Sequence, residues 1–189
     1  EKPSEPMVFM KPTSAIVYNN DSIIIPKISN DAHHEGEIVI LIGQDGKDVE
    51  LKNANNYILG VGIGIDVTLR DVQSEAKKKG KPWLVSKGFA TSAPVSEFLP
   101  VENFQDLKNL EIQLFVNDQL RQKGNSQEMI FDFAEVISYI SSIFTLKVGD
   151  LIYTGTPAGV AQMVNGDKVK VTLNNSIELN VDVKSINGN

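Results

Sequence analysis

Apolar and polar residues alternate in short runs along most of this chain, and turn signals separate the runs. Over residues 7–28 the breaks are Pro12, the Asn19-Asn20 pair and Pro26, a pattern of short strands joined by tight connections. Residues 37–42 read as a further strand, followed by a turn at Gln44-Asp45-Gly46-Lys47. Residues 57–66 read as a strand on which Gly60, Gly62 and Gly64 share one face, because side chains alternate across a strand. That bare face implies either close sheet packing or room for a ligand or a neighbouring backbone. Strands return over 110–116, 151–154, 168–173 and 176–183, the last two joined by an Asn174-Asn175 hairpin turn.

Two stretches change period. Thr68 with Asp71 three residues on resembles a capping box, which predicts a helix over 69–79 stopped by Gly80 and Pro82. Lys77, Lys78, Lys79 and Lys81 then fall at its C-terminal end, where they complement the helix dipole. Asp132 with Glu135 signals a second helix, with Phe133, Val136, Ile137, Ile140 and Phe144 as its core stripe. The balance is mainly β, an α+β arrangement. No repeat, low-complexity tract or long linker interrupts the 189 residues, so a single domain over 1–189 is expected.

Composition narrows the function. Without cysteine there is neither a disulfide framework nor a thiolate metal site, so any metal is held by oxygen or by His33 and His34. A formal charge of -6 disfavours nucleic acid as a partner, and no apolar run is long enough to cross a bilayer. Glu1, Lys2, Pro3 and Ser4 carry no signal-peptide core, which sets a cytoplasmic location as the expectation, and they lack an initiator methionine, as expected of a chain without its native start.

Glu35 and Glu37 flank Gly36 at the start of a strand and so project from one face. Such a pair is either solvated edge charge or a pair sharing a proton or a cation. Asp66 adds a third carboxylate at a strand-to-helix junction, and three carboxylates suit a hard cation that keeps several waters, such as magnesium or manganese. A 2-oxo acid offers a matching chelate through its carboxylate and keto oxygens, and a bound cation favours the enolate left when a neighbouring bond breaks. Lys87, among apolar neighbours, is either a snorkelling structural lysine or a partner for a substrate carboxylate or enolate oxygen. Arg70 and Gln73 share a helix face that is either solvated or turned into the same cavity. Only one of the adjacent histidines can face the carboxylates, and neither is read as a ligand. Thr154-Gly155-Thr156-Pro157-Ala158-Gly159 offers hydroxyls and backbone N–H groups to an anion or is a plain tight turn; it lacks the lysine of a phosphate-binding loop.

Several motifs occur in order: Met7-Val8-Phe9-Met10-Lys11-Pro12, His33-His34-Glu35-Gly36-Glu37, Asp66-Val67-Thr68-Leu69-Arg70-Asp71-Val72-Gln73, residues 83–89, Arg121-Gln122, Met129-Ile130-Phe131 and residues 149–160. Together they resemble the fumarylacetoacetate hydrolase family, most closely its small acylpyruvase and oxaloacetate-decarboxylase-like branch. The resemblance implies a mixed β-sheet roll with short helices, usually assembled as a homodimer. It implies Glu35, Glu37 and Asp66 as ligands of Mg2+ or Mn2+, and Arg70, Gln73, Lys87 and Thr156 as the lining of the pocket for a small 2-oxo acid substrate. Lys87 is the residue expected to act nearest the reacting oxygen. The implied activity is metal-dependent hydrolysis of a carbon-carbon bond in acylpyruvates, with oxaloacetate decarboxylation or oxo-acid isomerisation as alternatives on the same site. A catalytically silent metal- and ligand-binding protein is the alternative of another class. Members of this branch also carry, ahead of the segment matching Met7 to Pro12, a short lid with a histidine and a glutamate that supply the general base. That lid is expected to precede residue 1, and Glu1 does not sit at the distance needed to stand in for its glutamate.

Overall fold

The computed structural model describes residues 3–186; the expectation about Glu1 lies outside them. In chain order the strands are β1 (Ile16–Val17), β2 (Ser22–Ile25), β3 (Ala32–His34), β4 (Gly36–Ile42), β5 (Ile58–Ile65), β6 (Thr68–Leu69) and β7 (Ala93–Pro94). They continue as β8 (Leu99–Pro100), β9 (Glu111–Val116), β10 (Gln119–Asn125), β11 (Leu151–Tyr153), β12 (Ala161–Met163), β13 (Lys168–Leu173) and β14 (Ile177–Ser185). The α-helices are α1 (Arg70–Lys78), α2 (Leu84–Lys87) and α3 (Phe133–Ile143).

A five-stranded sheet in the order β10-β9-β13-β14-β2 is antiparallel except for the parallel β14–β2 pair. Its strands β9 and β13 bury every second residue, sending Ile112, Leu114, Val116, Val169, Val171 and Leu173 into the core. A four-stranded antiparallel sheet, β11-β4-β5-β8, packs against it, and one contiguous apolar cluster runs through both. Smaller pairings complete the mixed β-sheet architecture: β12-β3-β6 and the parallel β1-β7. Among the described residues no helix is long and apolar enough to cross a membrane.

Strands β4 and β5 are buried on both faces, which explains their near-continuous apolar sequence. The bare glycine face of β5 is packed tightly. A Cβ at Gly64 would stand 2.5 Å from a Tyr153 ring carbon and 2.8 Å from the Pro94 carbonyl oxygen, and one at Gly60 would stand 2.9 Å from the Leu99 oxygen. Tyr153 fills the space, and its hydroxyl donates to the Pro94 oxygen at 3.0 Å.

Helix α3 carries its predicted capping box: Glu135 N–H donates to Asp132 Oδ1 at 2.9 Å, and Asp132 N–H donates to Glu135 Oε2 at 2.7 Å. Phe133, Val136 and Ile137 are buried, but Phe144 stays 43% exposed, contrary to the expected core stripe. It follows the last helical residue in an extended conformation, so the helical period no longer sets its direction.

The expected capping box at α1 does not form. Thr68 lies in β6 and hydrogen-bonds elsewhere, and the Asp71 carboxylate accepts from Ser29 Oγ at 2.6 Å and Asn30 N–H at 3.0 Å. Strand β10, absent from the sequence expectations, is polar and joined to β9 by Asn117-Asp118, both with positive φ (50° and 62°) as a tight hairpin turn requires. Segment 7–12, expected to open the run of short strands, carries no regular secondary structure.

Candidate metal and substrate site

Register places the carboxylates. Gly36 pairs with Ile65 and Glu37 with Gly64, so Glu35 and Asp66 come opposite one another just beyond the pairing, where Asp66 N–H donates to the Glu35 carbonyl at 2.8 Å. Glu37 sits two residues from Glu35 on the same side. One carboxylate oxygen from each of Glu35, Glu37 and Asp66 lies within 4.8 Å of the others, and all three residues are buried. The reading of Glu35 and Glu37 as solvated edge charge is therefore excluded.

Cationic side chains close over this cluster. Lys87, at the end of α2 and only 2% exposed, donates to Glu35 Oε2 at 2.9 Å, Asp66 Oδ2 at 2.5 Å and Thr68 Oγ1 at 2.5 Å. Arg70 opens α1 and donates to Glu35 Oε1 at 2.5 Å and to Gln73 Oε1 at 2.8 Å, so the face it shares with Gln73 turns inward rather than to solvent. The Phe9 ring covers the Lys87 ammonium at 4.8 Å and packs 6.3 Å from the Trp83 ring.

Thr156 stands behind the carboxylates. The N–H of its neighbour Gly155 donates to Glu37 Oε2 at 2.7 Å, and Thr156 Oγ1 donates to the Gly36 carbonyl at 2.9 Å. The loop from Thr154 to Gly159 is thus more than a plain turn, since it binds one of the three acids. The histidines turn away: His34 pairs with Gln122 and His33 with Asp31, and neither belongs to the acidic cluster.

Burial and crowding set the charge states. Burial, then the nearby Asp66 charge, pushes the Glu37 carboxyl up to about 8 against the pull of the Gly155 N–H. Asp66 is also raised, chiefly by burial, with Lys11 and Lys87 opposing. Burial works against the Glu35 carboxylate too, yet Lys87 and Arg70 outweigh it and hold the group below the ordinary value. Burial lowers the His34 imidazole, which favours the neutral ring. Burial and the two acids raise the Tyr153 hydroxyl, which leaves it no role as a base near neutral pH. Three buried oxygen donors, two of them held toward the protonated form chiefly by burial, fit a hard divalent cation.

A sequence model described as Fumarylacetoacetate (FAA) hydrolase C-terminal matches residues 1–184. The chain belongs to the fumarylacetoacetate hydrolase family of enzymes. Within the family it is 48% identical over 171 residues to a mitochondrial oxaloacetate decarboxylase of Dictyostelium discoideum, covering 90% of this chain and 78% of that one. It is 39% identical over 182 residues to a mitochondrial oxaloacetate tautomerase of Bos taurus, covering 96% and 82%. Among solved structures it is similar to a fumarylpyruvate hydrolase from Pseudomonas aeruginosa in complex with Mn2+ and pyruvate, with a TM-score of 0.90, 32% identity and coverage of 94% and 78%.

In this member of the fumarylacetoacetate hydrolase family the acids are also surrounded by residues that were not expected at the site. Lys11 forms an ion pair with Asp66 Oδ1 at 2.7 Å and donates to the carbonyls of Lys87 and Ser92. Burial lowers its pKa, with Asp66 opposing. Thr68, read as a helix cap, receives Lys87 instead, and Gln122 joins His34 to Thr156. Lys11, Thr68 and Gln122 all lie inside or beside stretches that carry the family resemblance, which was the one available signal.

Proposed function

We propose that this protein is a divalent-metal-dependent enzyme of short 2-oxo acids, acting on oxaloacetate through its enolate by decarboxylation or keto-enol tautomerisation. The observation that carries the reading is the charge of the site. Three carboxylates meet three cationic side chains, Lys11, Lys87 and Arg70, so a divalent ion would leave an excess of two positive charges, which matches an oxaloacetate dianion. The names of the relatives at 48% and 39% identity support the same substrate.

Glu35, Glu37 and Asp66 would hold the ion through oxygen. Mg2+ or Mn2+ would supply Lewis-acid charge at the carboxylate and keto oxygens of the substrate. Lys87 presents ammonium protons at the same corner and can donate to the keto oxygen as negative charge develops there. Arg70, braced by Gln73, offers a planar guanidinium suited to a carboxylate. Thr156 would bound the pocket on the side of Glu37.

Hydrolytic cleavage of an acylpyruvate, the activity expected first from the sequence, is the second reading, favoured by the fold shared with the Mn2+ and pyruvate complex. In it water attacks the distal carbonyl and pyruvate leaves as its enolate. The remaining parts of the proposal have narrower support. A single catalytic unit is supported by the one contiguous core. A homodimer is supported by the resemblance alone. A cytoplasmic location stands against the mitochondrial names of several relatives, and fractionation of native cells decides between the two.

The test incubates the full chain with Mg2+ or Mn2+ and follows oxaloacetate enol absorbance, pyruvate formation and acetylpyruvate loss in parallel. Metal-dependent turnover of oxaloacetate, abolished in Glu37→Gln, is the expected result. If both compounds persist while oxalate still binds, the protein is a silent binder and the proposal fails.

A further inference from the structure

Gln122 lies buried on β10 and its amide makes as many hydrogen bonds as it can hold. Oε1 accepts from Gly36 N–H at 3.1 Å and pairs with His34 Nδ1 at 2.8 Å, while Nε2 donates to Thr156 Oγ1 at 2.8 Å and to the Pro157 carbonyl at 2.9 Å. Two of these partners have a single possible role: the Gly36 N–H only donates and the Pro157 carbonyl only accepts. They fix which end of the amide is which. His34 must then carry its proton on Nδ1. Thr156 Oγ1 must accept from Gln122 and give its own proton to the Gly36 carbonyl.

The two ends of this one side chain reach different parts of the site. The oxygen end grips His34 and Gly36, the residues on either side of Glu35. The nitrogen end grips Thr156 and Pro157, which follow the Gly155 N–H that binds Glu37. We propose that Gln122 is a positioning residue: its amide oxygen sets the segment that carries Glu35, and its amide nitrogen sets the loop that holds Glu37 through the Gly155 N–H and bounds the substrate pocket. This rests on the metal and 2-oxo acid reading of the site, and it makes the oxygen end serve the metal while the nitrogen end serves both ligands.

Gln122→Glu keeps the acceptor end and loses both donors, whereas Gln122→Met loses both ends. In the full chain, Mn2+ binding is measured by calorimetry, and oxalate binding is measured at saturating Mn2+ as an unreactive stand-in for a 2-oxo carboxylate. The Glu variant should lose roughly tenfold or more in oxalate affinity and clearly less in Mn2+ affinity, because Glu35 keeps its setting, and the Met variant should lose roughly tenfold or more in both. Thr156→Val, which removes a partner of the nitrogen end together with the hydroxyl that donates to the Gly36 carbonyl, should reproduce the oxalate loss and keeps the test open if a Gln122 variant fails to fold. Equal weakening of both ligands in the Glu variant, or wild-type affinities in either Gln122 variant, overturns the proposal. Wild-type protein that binds no Mn2+ overturns the functional reading itself, a separate outcome.

Discussion

Helices α1 and α3 open with the same local signal, a short polar residue followed three positions later by an acid, and the fold treats them in opposite ways. At α3 the signal is obeyed, with Asp132 and Glu135 satisfying each other's backbone N–H groups. At α1 it is overridden: Thr68 is drawn into β6 to receive Lys87, Asp71 holds Ser29 and Asn30, and Arg70 faces Glu35. The difference lies in what surrounds each helix start. One meets solvent and core, the other meets buried charge that needs every nearby hydrogen-bonding group. Local rules give way where function places demands on the same atoms.

The strongest way to break this contrast is Lys87→Met. If α1 and α2 are arranged around the ammonium, turnover of oxaloacetate should fall by about 10² to 10³-fold, the usual loss when one charge-stabilising donor is removed. Retention of roughly half the wild-type rate would show that the arrangement is structural. Thr68→Val is next: loss of its hydroxyl should reduce turnover about 10 to 100-fold with helical ellipticity unchanged, as for groups that orient a site. Unwinding of α1 would restore Thr68 to the role of a cap.

Titration supplies the third comparison. Glu37, held near a pKa of about 8, keeps a proton that the unfolded chain releases above 4.5, so stability without metal should fall as pH rises between those values. Divalent cation binding needs the carboxylate, and its affinity should climb by about tenfold per pH unit toward that upper value and then level off. Thermal melts and Mn2+ titrations from pH 5 to 9 check both slopes, which should become shallower in Glu37→Gln, leaving the part that the raised Asp66 carboxyl contributes. The smallest effect is expected at the obedient helix: Asp132→Ala should cost about 1 kcal/mol of stability and leave turnover within roughly twofold of wild type.

Where packing repeats along the chain, the sequence was legible. Strands β13 and β14 alternate faces cleanly, and Asn174 and Asn175 adopt positive φ of 47° and 55° between them, as their hairpin signal foretold. Glu35 and Glu37 were legible because two residues along a strand is a fixed geometry. By contrast, β10 reads as polar because it is an edge strand, and α2 is four residues long, too short for any period to show. Lys11 and Gln122 were beyond local reading for another reason. Their partners are distant in sequence, Gln122 meeting His34 across 88 positions, so only the folded sheets bring them to the acids.

The Lys87 ammonium has three protons to give, and Glu35, Asp66 and Thr68 take all of them, with an aromatic face on a further side. A newcomer can recruit this group only by unseating one of those acceptors, and the two acids are the ones with another cation to turn to. Order of addition should follow: cation before organic acid, with weak capture of oxalate by metal-free protein.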